Sequence, residues 1–231
     1  MEIGVCSQDQ DPFAGPENRH EMNTYQKALL SAAVLLLLLS CLGAPYPEQM
    51  YLQHVPTVIA FLTLALSARR FPLSNASFTC LVAFLLFHVL GARYIYSYVP
   101  YDRWSRLLLG RDLTSEFHFR RNHYDRVVHF FFGVLWVRPV WEVCVRYFRV
   151  PRKFACYTAF EFVLAFSLLY ELCEWGLTMV LSPNDADAYN GQQGDIWDAH
   201  KDMSFALLGA LLGLCAMAVR SYRPISSKSG T

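Results

Sequence analysis

Charge is scarce in this chain: 17% of its 231 residues are Asp, Glu, Lys or Arg, against roughly 25% in a soluble domain. What charge there is nearly cancels, 20 basic against 19 acidic residues. No basic excess of the kind that binds nucleic acid is therefore present. Seven cysteines occur, but no two form a Cys-x-x-Cys pair. They are scattered mostly through apolar runs, as small buried hydrophobes rather than a disulfide frame or a zinc site. A His-Glu-x-x-His metalloprotease motif is also missing.

What the chain has in abundance is apolar length. It is 54% hydrophobic and 15% aromatic, with a mean hydropathy of +0.23. Apolar runs cover about Lys27–Ala44, Met50–Ala68, Ser77–Tyr96, Tyr124–Val145, Phe154–Leu181 and Ile196–Val219. Runs of this length predict an all-α, polytopic membrane helix bundle of about six transmembrane helices. The expected organisation is a polar tail over 1–24, one transmembrane domain over 25–220 and a short polar tail over 221–231. The first run reads either as a cleaved signal peptide, with Leu39-Ser40-Cys41 or Leu42-Gly43-Ala44 as the cleavage site, or as a retained span, which the long and weakly basic lead before it favours.

Orientation follows from Lys and Arg near the span ends. Arg69 and Arg70, then Arg146, Arg149, Arg152 and Lys153, then Arg220, Arg223 and Lys228 all fall on one side. That side is expected to be the cytoplasm, with both termini there. The link Tyr98–Asn122 breaks the pattern, carrying Arg103, Arg106, Arg111, Arg120 and Arg121 on the far side. A misplaced basic cluster of this kind reads as a site.

Unusual polar residues gather at that same end. Asp195, Asp198 and Asp202 are spaced i, i+3, i+7, on one helical face. Three acids at the mouth of an apolar helix call for a cationic partner. Lys201 is within helical reach of Asp198, and Asp195 suits the helix N-cap. Asp125, Arg126 and His129 converge one turn into another span. In Tyr170-Glu171-Leu172-Cys173-Glu174-Trp175 two acids lie one turn apart, and counting back from Pro183 puts Glu171 ~18 Å below the outer helix end. Acids at that depth must be protonated, paired (Arg126 and Arg138 are candidates) or bound to metal. His88 shares the depth, and is either a hydrogen-bonded core residue or a ligand. Gly209 and Gly213 form a small-x-x-x-small strip suited to close helix packing.

His88-x-x-Gly91, Arg121-Asn122-His123-Tyr124-Asp125-Arg126-x-x-His129-Phe130-x-x-Gly133, Tyr170-Glu171-x-x-Glu174-Trp175 and Gly191-x-Gln193-Gly194-Asp195-x-Trp197-Asp198-x-x-Lys201-Asp202-Met203 together resemble the YjdF-like family of bacterial inner-membrane proteins. The likeness covers most of residues 50–219. A fainter similarity to VanZ-type membrane proteins rests on the Asp-Arg-x-x-His entry and the Asp-rich start of the last span. These resemblances imply a helical fold and a multi-pass location in the bacterial inner membrane, rather than a reaction.

Three functional readings follow. In the first, the protein is a metal-dependent enzyme. His129, Glu171, Asp202 and His88 are its candidate ligands for Zn²⁺, Mn²⁺ or Fe²⁺, and a bound ion would bring the pKa of a water toward ~7. Glu174, Asp198 and Asp125 are the candidate catalytic acids and bases. Arg120, Arg121, Arg126 and Lys201 would hold the head of a lipid-like, phosphorylated or acidic substrate. The second reading is a proton-coupled carrier, disfavoured by polar groups crowding one leaflet without a visible repeat. The third is an assembly protein whose cluster is an ion-pair knot. None predicts an oligomeric state.

Overall fold

A computed structural model describes residues 22–180 and 191–221. The tails expected at 1–24 and 221–231 lie almost wholly outside the described residues, as does 181–190. Eight helices are described: α1 (Thr24–Cys41), α2 (Pro47–Arg70), α3 (Asn75–Arg93), α4 (Tyr101–Leu109), α5 (Leu113–Glu116), α6 (Tyr124–Arg146), α7 (Arg152–Thr178) and α8 (Asp198–Ser221). Six of them, α1, α2, α3, α6, α7 and α8, are long and apolar enough to cross a bilayer.

These six match the expected runs, with three differences. The link before α6 is partly helical. Its α4 is amphipathic, with Leu107, Leu108 and Leu109 exposed, and it stops where Gly110 takes φ 68°, a left-handed turn open to glycine. Helix α7 stops at Thr178 rather than Leu181, so Glu171 lies only about 10 Å from its end at 1.5 Å per residue. Helix α8 starts at Asp198 rather than Ile196. Asp195 therefore sits one turn ahead of it, its carboxylate accepting from the Trp197 N–H at 3.1 Å.

The bundle divides into two groups of three helices. Leu30, Ala33 and Leu37 of α1 pack with Phe61 and Leu64 of α2 and with Phe78, Val82, Leu85 and Val89 of α3. Val137 of α6, Ala159 and Val163 of α7, and Ala206 and Ala210 of α8 form the second core. Helices α3 and α6 join the groups, with aromatic contacts such as Phe87 on Phe131 at 4.5 Å between centroids. The outward faces keep large apolar side chains exposed, among them Leu35, Leu39, Ile59, Leu66, Leu169 and Leu212, as a lipid-facing surface requires.

A buried acid that the sequence reading passed over closes one end of the α3–α6 seam. Glu142 of α6 is fully buried. It accepts from the Ser74 N–H and hydroxyl, each at 2.6 Å, and from the Ser77 hydroxyl. Arg146 lies 3.7 Å away, one turn along. Glu142 thus caps the start of α3 from a neighbouring helix, where unpaired N–H groups and the helix dipole favour an anion.

Helices α6 and α8 run parallel and cross at backbone contact. A Cβ on Gly209 would collide with the Phe130 carbonyl, and one on Gly133 with the Ala206 carbonyl. A Cβ on Gly213 would lie 2.7 Å from Val137 Cγ2. The strip expected from Gly209 and Gly213 is therefore met by Gly133 across the interface, the geometry by which small residues let membrane helices approach. In contrast, a Cβ on Gly176 of α7 would meet nothing within 4 Å. Gly133→Val is expected to lower the thermal midpoint in detergent by an amount corresponding to about 1–3 kcal/mol or more of overpacking. Gly176→Ala should leave the midpoint unchanged or raise it slightly.

Candidate functional site

The α6–α8 crossing brings the first turns of both helices together at one end of the bundle, beside the last two turns of α7. Two loops close over them. Asn122 precedes the N-cap of α6; its Oδ1 accepts from the Tyr124 N–H at 3.0 Å, and its amide group donates to the Val99 carbonyl at 2.9 Å. Gln193 reaches across from the loop before α8 and accepts from the Asn122 N–H at 2.9 Å. Gly191 and Gly194 take φ 64° and 83°, the left-handed region that lets this loop turn tightly over the site.

Arg121 is the clamp between the loops. Its guanidinium donates to the carbonyls of Gln192 and Gly191, both at 3.0 Å, and to Asp198. Arg126 contacts all three α8-side acids: Asp195 at 2.6 Å, Asp198 at 3.5 Å and Asp202 at 3.9 Å. Lys201 bonds Asp195 at 2.6 Å rather than Asp198, because Asp195 lies off the start of the helix and turns back over it. The cationic partner demanded by the acidic stripe is thus supplied mainly by α6 and its preceding loop.

Deeper in, the balance changes. Asp125, Glu171, Glu174, Asp198 and Asp202 are all buried, against two buried guanidiniums, Arg121 and Arg126. Among the described residues, no Arg or Lys lies within 4 Å of Asp125, Glu171 or Glu174, and the expected pairing of the α7 acids with Arg126 or Arg138 is not formed. The imidazole of His129 lies between two of these acids, its Nε2 3.7 Å from Asp125 and 3.4 Å from Glu171. Among the described residues, Glu171 Oε1 and Asp202 Oδ1 are buried without a hydrogen-bond partner. Unpaired carboxylates at such a depth cost several kcal/mol each, so the chamber favours protons or a cation.

One set of side chains could hold that cation. Ligand atoms of Asp125, His129 and Asp202 lie within 4.8 Å of one another. Tetrahedral bonds of about 2.0–2.2 Å put the ligand atoms of one ion roughly 3.3–3.6 Å apart, so binding would draw the most distant of these atoms together by roughly 1 Å, a side-chain adjustment. One imidazole with carboxylates suits Zn²⁺, Mn²⁺ or Fe²⁺. Glu171, touching His129, is the adjacent candidate. His88 lies outside this set: its Nδ1 meets the Tyr96 hydroxyl and its Nε2 the Gln53 carbonyl at 3.1 Å, which leaves no ring lone pair for a metal. Tyr96 reaches His88 because Gly91 leaves room for its ring and because Ile95 and Tyr96 both take positive φ, 43° and 55°.

Three cavities adjoin the chamber. A polar one of about 470 Å³ is lined by Arg120, Arg121, His123, Arg126, Asp195 and Lys201, among others. A second, of about 240 Å³, lies between α7 and α8 and reaches Glu171, Glu174 and Asp198. The third, about 210 Å³ and mostly apolar, runs along α2, α3, α6 and α7 from Asp125 and His129 to Trp136. Of the expected head-group residues, Arg120 is exposed at the polar cavity, whereas Arg121, Arg126 and Lys201 line it while bonded to aspartates.

A polytopic helical membrane protein with a carboxyl-rich chamber at one end is the class that this fold and site define. The chain belongs to the family described as predicted membrane protein (DUF2238), which it matches over residues 25–223. It is similar to the inner membrane protein YjdF of Escherichia coli (strain K12), 31% identical over 191 residues that make up 81% of this chain and 87% of that protein. No solved structure matches.

Two groups at the chamber mouth give it a pH response. Bonding to Lys201, together with the Trp197 N–H and Arg126, holds Asp195 down at about 2 against the effect of burial. Its contribution to stability is complete above its ordinary value of 3.8 and is lost as pH falls toward 2. Burial, and then Arg126 and Arg121, push His123 down to about 4 from its ordinary 6.5, and its neutral Nδ1 accepts from Arg126 at 2.7 Å. The unfolded chain binds the proton more readily, so His123 costs stability as pH falls from 6.5 to 4. Thermal midpoints measured across this window should drop less on acidification in His123→Gln than in the wild type.

Proposed function

We propose that the protein is a membrane-embedded, metal-dependent enzyme that hydrolyses or transfers a group on an amphipathic, lipid-like substrate with an acidic or phosphorylated head. The observation that carries this reading is the unbalanced chamber: five buried carboxyls facing two buried guanidiniums, with Asp125, His129 and Asp202 within reach of one ion. A divalent cation would offset the excess negative charge and supply Lewis acidity next to the polar cavity. His129 and Asp202 are its ligands from the proposed set, joined by Asp125 and, after a small movement, Glu171. Glu174, buried and without a basic partner, is the better base than Asp198, which is engaged by Arg121 and Arg126. Arg120 and the outer edges of Arg126 and Lys201 receive the head group. The chamber is assigned to the non-cytoplasmic leaflet, following the distribution of Lys and Arg.

Two observations weigh against the alternatives. A carrier needs polar stepping stones toward the opposite end. The buried acid there, Glu142, is held by three hydroxyl or N–H donors within bonding distance, which suits a fixed cap rather than a relay. An ion-pair knot accounts for Arg121, Arg126 and the α8-side aspartates, but leaves Asp125, Glu171 and Glu174 unexplained.

Elemental analysis of protein purified without chelator should find about one divalent transition-metal ion per chain. His129→Ala and Asp202→Asn should lose it, whereas Glu142→Gln, at the far end of α6, should retain it. Glu174→Gln should keep the ion and the fold. Metal-free wild type, or an ion retained by both ligand variants, would remove the basis of this reading.

A further inference from the structure

Among the described residues, two polar groups of the apolar cavity have no partner. Ser167 of α7 is 2% exposed, lines the cavity, and its hydroxyl bonds none of the described residues. Helical hydroxyls commonly return to a carbonyl three or four residues back, as buried Ser40 and half-buried Ser67 do here, and the more exposed Thr79, Thr158 and Ser204 as well. Ser167 does not. The indole N–H of Trp136, on the same wall, is also buried and unpaired. Away from water, a donor left unmade costs about 1–3 kcal/mol, so a side-chain rotation that brought either donor to an acceptor in the cavity would be favoured.

The cavity has a side door. Among the described residues, α2 packs closely on α1 and α3 and α7 on α6 and α8, while no Cα of α2 comes within 8 Å of a Cα of α7. Phe166, which lines the cavity from α7, is 48% exposed on the lipid-facing surface. Depth can be read along the helices at 1.5 Å per residue. Ser167 lies one turn, about 6 Å, deeper than Glu171, and Trp136 lies about 10 Å deeper than His129.

We infer that the cleft between α2 and α7 is the chain-binding site for an ester-linked glycerolipid, entered sideways from the bilayer, with Ser167 and Trp136 donating to its ester carbonyls. This rests on the amphipathic-substrate reading of the same chamber and narrows it to one lipid class. With the phosphate at the floor of the chamber beside His129 and Glu171, the ester linkages reach inward to the depth of Ser167, with Trp136 about one turn below it, and the chains follow the apolar wall of Ala60, Leu85, Phe132 and Phe166. A polyprenyl chain has no acceptor at that depth and would bury both donors unsatisfied.

The test compares lipids differing only in the linkage. The full-length protein in detergent is titrated with a dioleoyl glycerophosphate, its dialkyl ether analogue and a polyprenyl phosphate, and bound lipid is read by native mass spectrometry, before and after a chelator wash. The diacyl lipid should bind about threefold to tenfold more tightly than the ether, the worth of one ordinary hydrogen bond. That preference should vanish in the double variant Ser167→Ala, Trp136→Phe. Ala60→Trp, which fills the cleft, should weaken all three lipids. Equal binding of ester and ether lipids to the wild type, tightest binding of the polyprenyl phosphate, or an ester preference that survives the double variant would each overturn the inference. The wild-type comparison decides by itself if a variant fails to fold. Because the preference is also read on chelator-washed protein, its failure is distinct from a failure to find metal.

Discussion

The backbone contact between α6 and α8 fixes the position of everything else in the site. Where Gly133 meets the Ala206 carbonyl and Gly209 the Phe130 carbonyl, neither helix can slide or rotate without a collision. Two parallel helices locked in this way hold their first turns in one register. Asp125 and His129 on one are then set against Asp198 and Asp202 on the other. In a bilayer, where apolar side chains gain little by leaving lipid for protein, such close approach is a principal source of helix association. The polar chamber adds to the join but could not replace it, since burying this many charges stabilises poorly.

The site has two layers with different jobs. At the mouth, Arg121, Arg126 and Lys201 are matched to Asp195 and Asp198, and the loops around Asn122 and Gln193 are stitched to each other. This layer can be understood as structure alone. Beneath it, among the described residues, no Arg or Lys lies within 4 Å of Asp125, Glu171 or Glu174, and one carboxylate oxygen each of Glu171 and Asp202 accepts no hydrogen bond. A fold under no functional demand has little reason to keep that arrangement in a membrane. The two layers are continuous through Arg126, which touches Asp195 at the surface and Asp202 at the floor.

Much of this was legible in the residues. Six spans followed from apolar length, and the convergence of three helices followed from acids and a histidine placed too deep for an interface. The need for cations opposite the α8 aspartates followed from their spacing. Other features had no local signal. Lys201 turned to Asp195 because the helix started later than the apolar pattern did. Glu171 lay shallower than counted because α7 ended at Thr178, and apolar composition marks where a segment can be buried rather than where its hydrogen bonds stop. Glu142 had no local signal either, since its service to the start of α3 depends on a neighbour remote in sequence. The two faces of His88 could not be told apart without Tyr96, which reaches it through an unusual turn.

That turn carries a consequence. Left-handed backbone at two successive residues, one of them the β-branched Ile95, runs against what those residues adopt by preference. Yet Ile95, Tyr96 and Val99 are among the best-buried side chains of the segment. The segment is shaped by what it must deliver, a phenol to His88 and an apolar plug beneath α4, and not by its own leanings. Its path is therefore a property of the assembled bundle: the same residues, cut out as a free peptide, would have no cause to trace it.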